Sequence, residues 1–294
     1  MSPSHPRVLI TGANGQLGRL VIKGLIKRIP ASQVIASVRS VGTARDLAAL
    51  GVEVRAADYD DPASLAAAFV GVDRVLLISS NAMGKRISQH GHVIDAVKQA
   101  GASLIAYTSV LRADTSSLGL AEEHLATEKL LQASGVPFAL LRNGWYNENY
   151  TGNARAAVEH GVILGSARDG RIAAAARADY AEAAAAVMTS DDAQGGKIYE
   201  LAGDTSFTLA ELADEIARQS HKPVSYKDLP ENDFKAALIG AGLPEELAGL
   251  LADSSVQASQ GALFDDGHAL SALIGRPTTP VSQSVAEALV TKSN

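Results

Sequence analysis

Residues 7–18 read Arg7-Val-Leu-Ile-Thr-Gly-Ala-Asn-Gly-Gln-Leu-Gly18. The apolar run Val8-Leu9-Ile10 leads into three glycines, Gly12, Gly15 and Gly18, and Leu17, Leu20, Val21 and Leu25 then share one helical face. The pattern predicts a strand, a tight turn and a helix opening on its own N-terminus. Free backbone N–H groups and the positive end of the helix dipole make such a terminus a site for pyrophosphate. Gly12 can take the turn conformation, Gly15 lets the backbone approach the phosphates, and Gly18 lets the helix pack close to the strand. A glycine triplet alone is a weak signal; the preceding strand and following helix make this one a dinucleotide site.

Outward from that turn, strand-like and helical patterns alternate. Strand-like runs are Val8–Ile10, Val34–Val38, Val52–Ala56, Val72–Ser79, Leu104–Tyr107 and Val136–Leu141. Helical patterns include Gln16–Lys27, Pro62–Val70, Ile87–Ala100 and Leu118–Ala133, and Gly51, Gly71, Gly101 and Gly135 stand where helix ends meet the next strand. The fold class is therefore α/β, a Rossmann-like doubly wound parallel sheet with a smaller C-terminal α/β substrate lobe. Residues 7–150 are assigned to the dinucleotide-binding domain, with a return of 172–203 to it, and 151–294 mainly to the lobe. Beyond residue 150 we expect a hairpin or loop over Gly161–Gly170, helices over Arg177–Met188 and Phe207–Gln219, and strands over Lys197–Leu201 and Val224–Leu229. Further helical pieces are expected over Glu231–Leu251 and Ser282–Val290. Thr208 and Glu211 have the spacing of a capping box.

Composition narrows the function. The 294 residues are 47% hydrophobic, enough for a sizeable core, and carry a formal net charge of −6 with no long basic run. That pattern gives nucleic acid no electrostatic footprint. The absence of cysteine excludes disulfides and thiolate chemistry and fits a reducing compartment. No apolar run approaches the roughly 20 residues of a membrane span, and no signal pattern opens the chain, so a cytoplasmic location is expected.

The end of the second strand meets the adenine ribose in this kind of fold, and a carboxylate there selects NAD. Here Val34–Val38 ends in Arg39, and no acidic residue lies between Val34 and Ala44. A guanidinium matches a 2′-phosphate in a bidentate fork, so the expected cofactor is NADPH (NADP+). By topology, Asp58-Tyr59 meets the adenine edge, and Ser79, Ser80 and Asn81 pass near the pyrophosphate or the nicotinamide ribose.

Dehydrogenases that reduce ordinary ketones use a Tyr-x-x-x-Lys pair to protonate the developing alkoxide. None of the seven tyrosines here has a lysine four residues on. The helix that should carry the pair reads His124-Leu-Ala-Thr-Glu128-Lys129. His124 and Glu128 share a face, which suits either a proton shuttle or an ordinary hydrogen-bonded pair. His90 and His92, two apart on a helix, point in different directions, so no metal is expected. The missing acid points to a quinone, because hydride transfer leaves charge on a phenolate-like oxygen with a pKa near 10. Such an acceptor needs positioning more than acid catalysis. Candidate positioning groups lie in Leu141–Tyr150, where aromatic faces can stack a planar substrate and amides can fix its oxygens. Asn143 and Tyr146 are the candidate catalytic residues.

Several stretches resemble the NmrA-like, atypical short-chain dehydrogenase family. They include Thr11–Gly18, Leu76–Ser80, Ile105–Ser109, Leu140–Tyr146, Arg177–Tyr180, Tyr199–Gly203 and Gly261–Asp266. Arg-Asn-Gly-Trp-Tyr and Leu-Phe-Asp-Asp are the more specific segments, and the likeness is nearest to bacterial quinone-reducing members. The resemblance implies NADPH held by Gly12, Ala13, Asn14, Gly15, Gln16, Leu17, Gly18 and Arg39. It places Asn143, Gly144, Trp145, Tyr146, Asn147, Glu148 and Arg177 near the nicotinamide end, with direct hydride transfer to a small planar quinone and no flavin. It also makes the residues through about Arg7 a disordered extension. A triphenylmethane-dye or azo reductase and a non-enzymatic NADP(H)-sensing regulator are the alternatives within the family, and a homodimer is compatible with each.

Overall fold

A computed structural model describes residues 5–290. The first half of the chain runs β1 (Val8–Ile10), α1 (Gln16–Leu25), β2 (Val34–Val38), α2 (Arg45–Ala49), β3 (Glu53–Ala56) and α3 (Pro62–Ala68). It continues through β4 (Arg74–Leu77), α4 (Arg86–Ala100), β5 (Leu104–Val110), α5 (Ala121–Ser134) and β6 (Phe138–Asn143). Then follow α6 (Asn147–Thr151), α7 (Ala154–His160), β7 (Val162–Gly165), α8 (Arg177–Thr189), β8 (Lys197–Leu201), α9 (Leu209–Ser220) and β9 (Ser225–Asp228). Last come α10 (Glu231–Gly240), α11 (Glu245–Ser259), α12 (Ala269–Ile274) and α13 (Val281–Val290).

Seven strands form one sheet in the order β3-β2-β1-β4-β5-β6-β8. The pairs from β3 through β6 are all parallel. Register puts Leu9 beside Ile35 and Val75, and Val75 beside Ile105. These four, with Phe69, Val93, Val97 and Leu131, belong to one buried apolar cluster. Strands covered on both faces read as continuous apolar runs, so the sequence pattern is not alternating. Strand order reverses between β1 and β4, and the crevice beyond their carboxyl ends is the ligand position in such sheets. Gly51, Gly71, Gly101 and Gly135 all have positive φ, as their place at helix ends requires.

The chain forms two compact units. One comprises residues 1–113, 123–143 and 178–199; the other comprises 114–122, 144–177 and 200–294. In the first, α8 joins the helical cover of the sheet: a Cβ on Gly24 of α1 would stand 3.1 Å from the Ala185 methyl. The second holds a two-stranded parallel pair, β7 with β9, in register from Val162↔Ser225 to Gly165↔Asp228. The hairpin or loop expected over Gly161–Gly170 is therefore corrected to a strand followed by a turn. Its partner lies some sixty residues further on, which no local pattern announces. The capping box at α9 is complete, with Thr208 Oγ1 accepting from Glu211 N–H at 3.1 Å and Glu211 Oε2 accepting from Thr208 N–H at 2.8 Å.

Residues 1–4 of the expected N-terminal extension lie outside the described residues. Arg7 is anchored: its N–H donates to Asp73 Oδ2 at 2.7 Å and its Nη2 to Glu53 Oε2 at 2.6 Å. Among the described residues no helix is long and apolar enough to cross a membrane.

Candidate functional site

The glycine turn is open. Gly12, Asn14, Gly15 and Gln16 are exposed, whereas Ala13 and Leu17 point into the core. Leu17 can therefore serve a ligand only through its backbone. Gly12 has φ +58°, the left-handed region where glycine is favoured. A Cβ on Gly18 would fall 2.6 Å from Gly12 O and 2.7 Å from Ala13 Cα, so this glycine is fixed by helix–turn packing. Gly15 precedes α1 and supplies no side-chain cap. The first N–H groups of α1, on Gln16, Leu17 and Gly18, lack intrahelical acceptors. A bare turn, an uncapped helix start and the helix dipole together fit a pyrophosphate.

At the neighbouring strand end, Arg39 is exposed and makes no hydrogen bond or ion pair among the described residues. The half-buried Tyr59 commits its hydroxyl to the protein, with Oη 2.6 Å from Thr11 Oγ1 and 2.9 Å from Ile78 O, and burial pushes its pKa up. Past β4, Ser79 N–H donates to Thr108 Oγ1 at 2.9 Å, and Ser80 N–H to His90 Nε2 at 2.9 Å. Asn81 is exposed. Arg86 holds this turn from below, through Nε to Ser80 O at 2.8 Å and Nη1 to Glu123 Oε2 at 3.0 Å.

The ends of β5 and β6 meet α5 in a dense buried polar network. Glu128 accepts from Ser109 Oγ at 2.6 Å and from Arg142 through Nε at 3.0 Å and Nη2 at 2.6 Å. The two charged side chains are 1% and 6% exposed, so the pair is desolvated and each partner neutralises the other. His124 and Glu128 share a face but do not bond each other. His124 Nδ1 instead lies 2.7 Å from Tyr107 Oη. Thr127 donates its hydroxyl to Glu123 O at 3.0 Å, so its lone pairs face His90 Nδ1 at 2.9 Å. His90 thus carries its proton on Nδ1 and accepts at Nε2 from Ser80. Burial, then the Arg86 charge, brings the His90 pKa down to about 3. The same causes, with His90 added, lower that of His124. Sequence spacing does not announce the pairing of Ser109 and Arg142 with Glu128. The available signal was a guanidinium at the end of the apolar run Ala139-Leu-Leu-Arg142, which demands a buried carboxylate nearby.

Asn143 closes β6. It is buried, and its Oδ1 has no protein hydrogen-bond partner. A buried acceptor in that state, shared by Asn147 Oδ1, Ser166 Oγ and Gln257 Oε1, is open to a donor from outside the protein. A ribose hydroxyl or a hydrogen-bonded substrate suits it, so the residues of this unit fit a dinucleotide.

The second unit carries the rest of the segment, from Gly144. Asn147–Thr151 is helical, so only Gly144, Trp145 and Tyr146 form the turn before it. Glu148 accepts the Arg177 N–H at 3.0 and 3.1 Å through its two oxygens, a carboxylate at the start of α8. The Arg177 guanidinium lies 4.7 Å from the Tyr146 ring centre, fixing both groups by a cation–π contact. Asn147 is fully buried, and its Nδ2 donates to Thr279 O at 3.0 Å and Ser284 Oγ at 3.1 Å. Its amide nitrogen is thus committed to this unit's own core.

Known proteins resemble this chain over nearly its whole length. Quinone oxidoreductase 2 of Escherichia coli is 57% identical over 95% of this chain and 97% of its own length. The crystal structure of an NADPH-dependent quinone oxidoreductase from E. coli, complexed with NADPH, has a TM-score of 0.93 at 56% identity, covering 96% of this chain and 99% of that one. Triphenylmethane reductase of Citrobacter sp., complexed with NADP(H), has a TM-score of 0.91 at 38% identity, covering 96% and 99%. With the sequence pattern of the NmrA-like family matching residues 4–288, through both units, this chain belongs to the NmrA-like family.

Proposed function

We propose that the chain is an NADPH-dependent quinone reductase. The observation that carries the reading is a contrast in hydrogen bonding. The glycine turn and Asn143 Oδ1 are left unsatisfied, while the β5–α5 positions that would hold a proton-donating pair are committed to buried internal bonds. Bound there, NADPH supplies a hydride. The Gly12–Gly18 turn would hold its pyrophosphate, Arg39 its 2′-phosphate, and Ser79–Asn81 and Asn143 the nicotinamide-side ribose. Quinone reduction asks little of an acid, since the oxygen that gains charge is phenolate-like, with a pKa near 10. Asn143 offers an amide to the acceptor or to a ribose hydroxyl, and Tyr146 a ring or a hydroxyl, so their work is orientation. Identity with the E. coli quinone oxidoreductase supports this over the dye-reductase alternative, as does the weaker likeness to the Citrobacter enzyme. A cysteine-free chain using a reduced nicotinamide suits the cytoplasm.

The deciding experiment is stopped-flow oxidation of NADPH with and without 1,4-benzoquinone. Fast quinone-dependent oxidation by protein lacking visible flavin absorption is expected. Oxidation only with a triphenylmethane dye would move the chain to the other branch. Binding of NADPH without turnover would make it a sensor.

A further inference from the structure

The side chain of Arg19 runs in an unexpected direction. Arg19 follows Gly18 in the first turn of α1, yet it does not pair along its own helix. It reaches back to the glycine turn, donating through Nε to Asn14 O at 3.0 Å and through Nη2 to Asn14 Oδ1. Its Nη1 crosses to the carboxylate of Asp46 in α2. Asn14 Nδ2 donates in turn to Thr43 Oγ1 at 3.1 Å, and Thr43 Oγ1 to Ser40 O at 2.7 Å. Side chains therefore stitch the glycine turn to the loop after β2, the two segments between which an adenine ribose would lie.

Charge in this loop pair is unbalanced. The stretches 12–19 and 39–46 hold Arg19, Arg39 and Arg45 against one carboxylate, Asp46, and among the described residues only Arg19 is paired with it. The surplus of two positive charges suits a dianionic phosphate and has no counterpart in a ribose 2′-hydroxyl. The Arg19 and Asp46 side chains are 31% and 60% exposed, so water screens their attraction. A phosphate offers the same guanidinium a bidentate, doubly charged partner.

Resting on the NADPH reading, we propose that Arg19 is a second ligand of the 2′-phosphate, beside Arg39, and that Asp46 is its internal competitor. The pair then sets how strongly NADPH is preferred over NADH. Removing Asp46 releases Arg19 to the phosphate. Removing Arg19 loses a ligand and also leaves the Asp46 carboxylate unopposed beside the phosphate. The double variant must therefore fall between the two single ones.

The test is titration of NADPH, NADH and 2′,5′-ADP, by calorimetry and by nicotinamide fluorescence where it applies, on wild type, Asp46→Asn, Arg19→Gln and the double variant. Asp46→Asn should tighten NADPH and 2′,5′-ADP about threefold, and Arg19→Gln should weaken both about tenfold or more. NADH should change less than about twofold throughout. An Asp46→Asn protein that binds NADPH no better than wild type, or an Arg19→Gln protein that loses NADPH and NADH equally, overturns the proposal and makes the pair a structural stitch. If Arg19→Gln does not fold, Arg19→Lys poses the same question, since it keeps the charge and loses the fork. NADPH weakened with NADH spared supports the assignment; no change overturns it. Wild-type protein that does not discriminate NADPH from NADH would overturn the NADPH reading itself, a result distinct from either variant outcome.

Discussion

The glycine turn and the β5–α5–β6 junction make opposite use of polar groups. At the turn, helix N–H groups and a guanidinium are left without protein partners, as is the Asn143 oxygen at the end of β6. At the junction, Ser109, Glu128, Arg142, Tyr107, His124, His90 and Thr127 bond one another. Unsatisfied polar groups are costly when buried and useful when a ligand completes them. The difference teaches that this chain keeps its binding capacity at the phosphates and spends its internal polar chemistry on rigidity. Groups that elsewhere would move a proton here hold two strand ends in place.

The contrast can be broken hardest at Glu128. Replacing it by Ala leaves Arg142 buried and unpaired, which should cost about 3–5 kcal/mol of unfolding free energy in urea. Replacing Glu128 and Arg142 together by Leu and Met should recover most of that loss. A loss below about 1 kcal/mol for Glu128→Ala would mean that the junction is hydrated, not closed.

The open side is probed at Gly15. A Cβ there would meet only Gly12 O, at 3.2 Å, so Gly15→Val should stay folded while NADPH affinity falls about a hundredfold, near 2.7 kcal/mol. Gly18→Val, whose Cβ would meet backbone atoms closer than 3 Å, should instead lower the melting temperature. Equal effects of the two glycines on binding and stability would remove the distinction. Arg39→Asp should weaken NADPH about ten- to hundredfold and spare NADH, since charge-assisted hydrogen bonds contribute roughly 1.5–3 kcal/mol. Asn143→Ala should lower kcat for a small quinone about tenfold, as expected for one lost hydrogen bond, with a smaller change in NADPH affinity. An unaltered kcat with reduced thermal stability would make Asn143 structural.

The smallest effect tests the closed side by pH. The pKa of His90 lies near 3 in the folded protein, against an ordinary 6.5. As pH falls below 6.5 the unfolded chain binds a proton that the folded chain refuses, so stability drops, and above that range it is flat. Between pH 7.5 and 6 the loss should be under about 1 kcal/mol for this group. His90→Asn should remove that part of the slope. A wild-type stability independent of pH from 7.5 to 4 would show that His90 titrates normally.

Most of the sheet was legible because parallel strands buried on both faces leave short apolar runs, and positive-φ glycines punctuate them. The strand β7 was not, because Val162–Gly165 sits among glycines and its partner β9 is distant in sequence. Short helices such as α2, α6 and α12, of five or six residues, carry too few turns to show a period. In the candidate site, the phosphate turn was legible because its function lies in one contiguous segment. The Glu128 network was not, because Ser109 and Arg142 lie 19 and 14 residues away in sequence and meet it only through the fold. The partners of the Tyr59 hydroxyl were hidden for the same reason: Thr11 and Ile78 come from two other strand ends.

The path of the chain through its two units also limits how the protein can be recombined. It passes from one to the other after residues 113, 122, 143, 177 and 199. A chimera made with a relative by one crossover near the middle would draw both units partly from each parent. Exchanging either unit whole would need all five junctions. Gene fragments cut within residues 114–199 would encode neither unit intact, so such split versions should assemble only when both pieces are made together. Acceptor range is therefore better altered by point substitution, or by replacing a loop within one unit, than by shuffling halves.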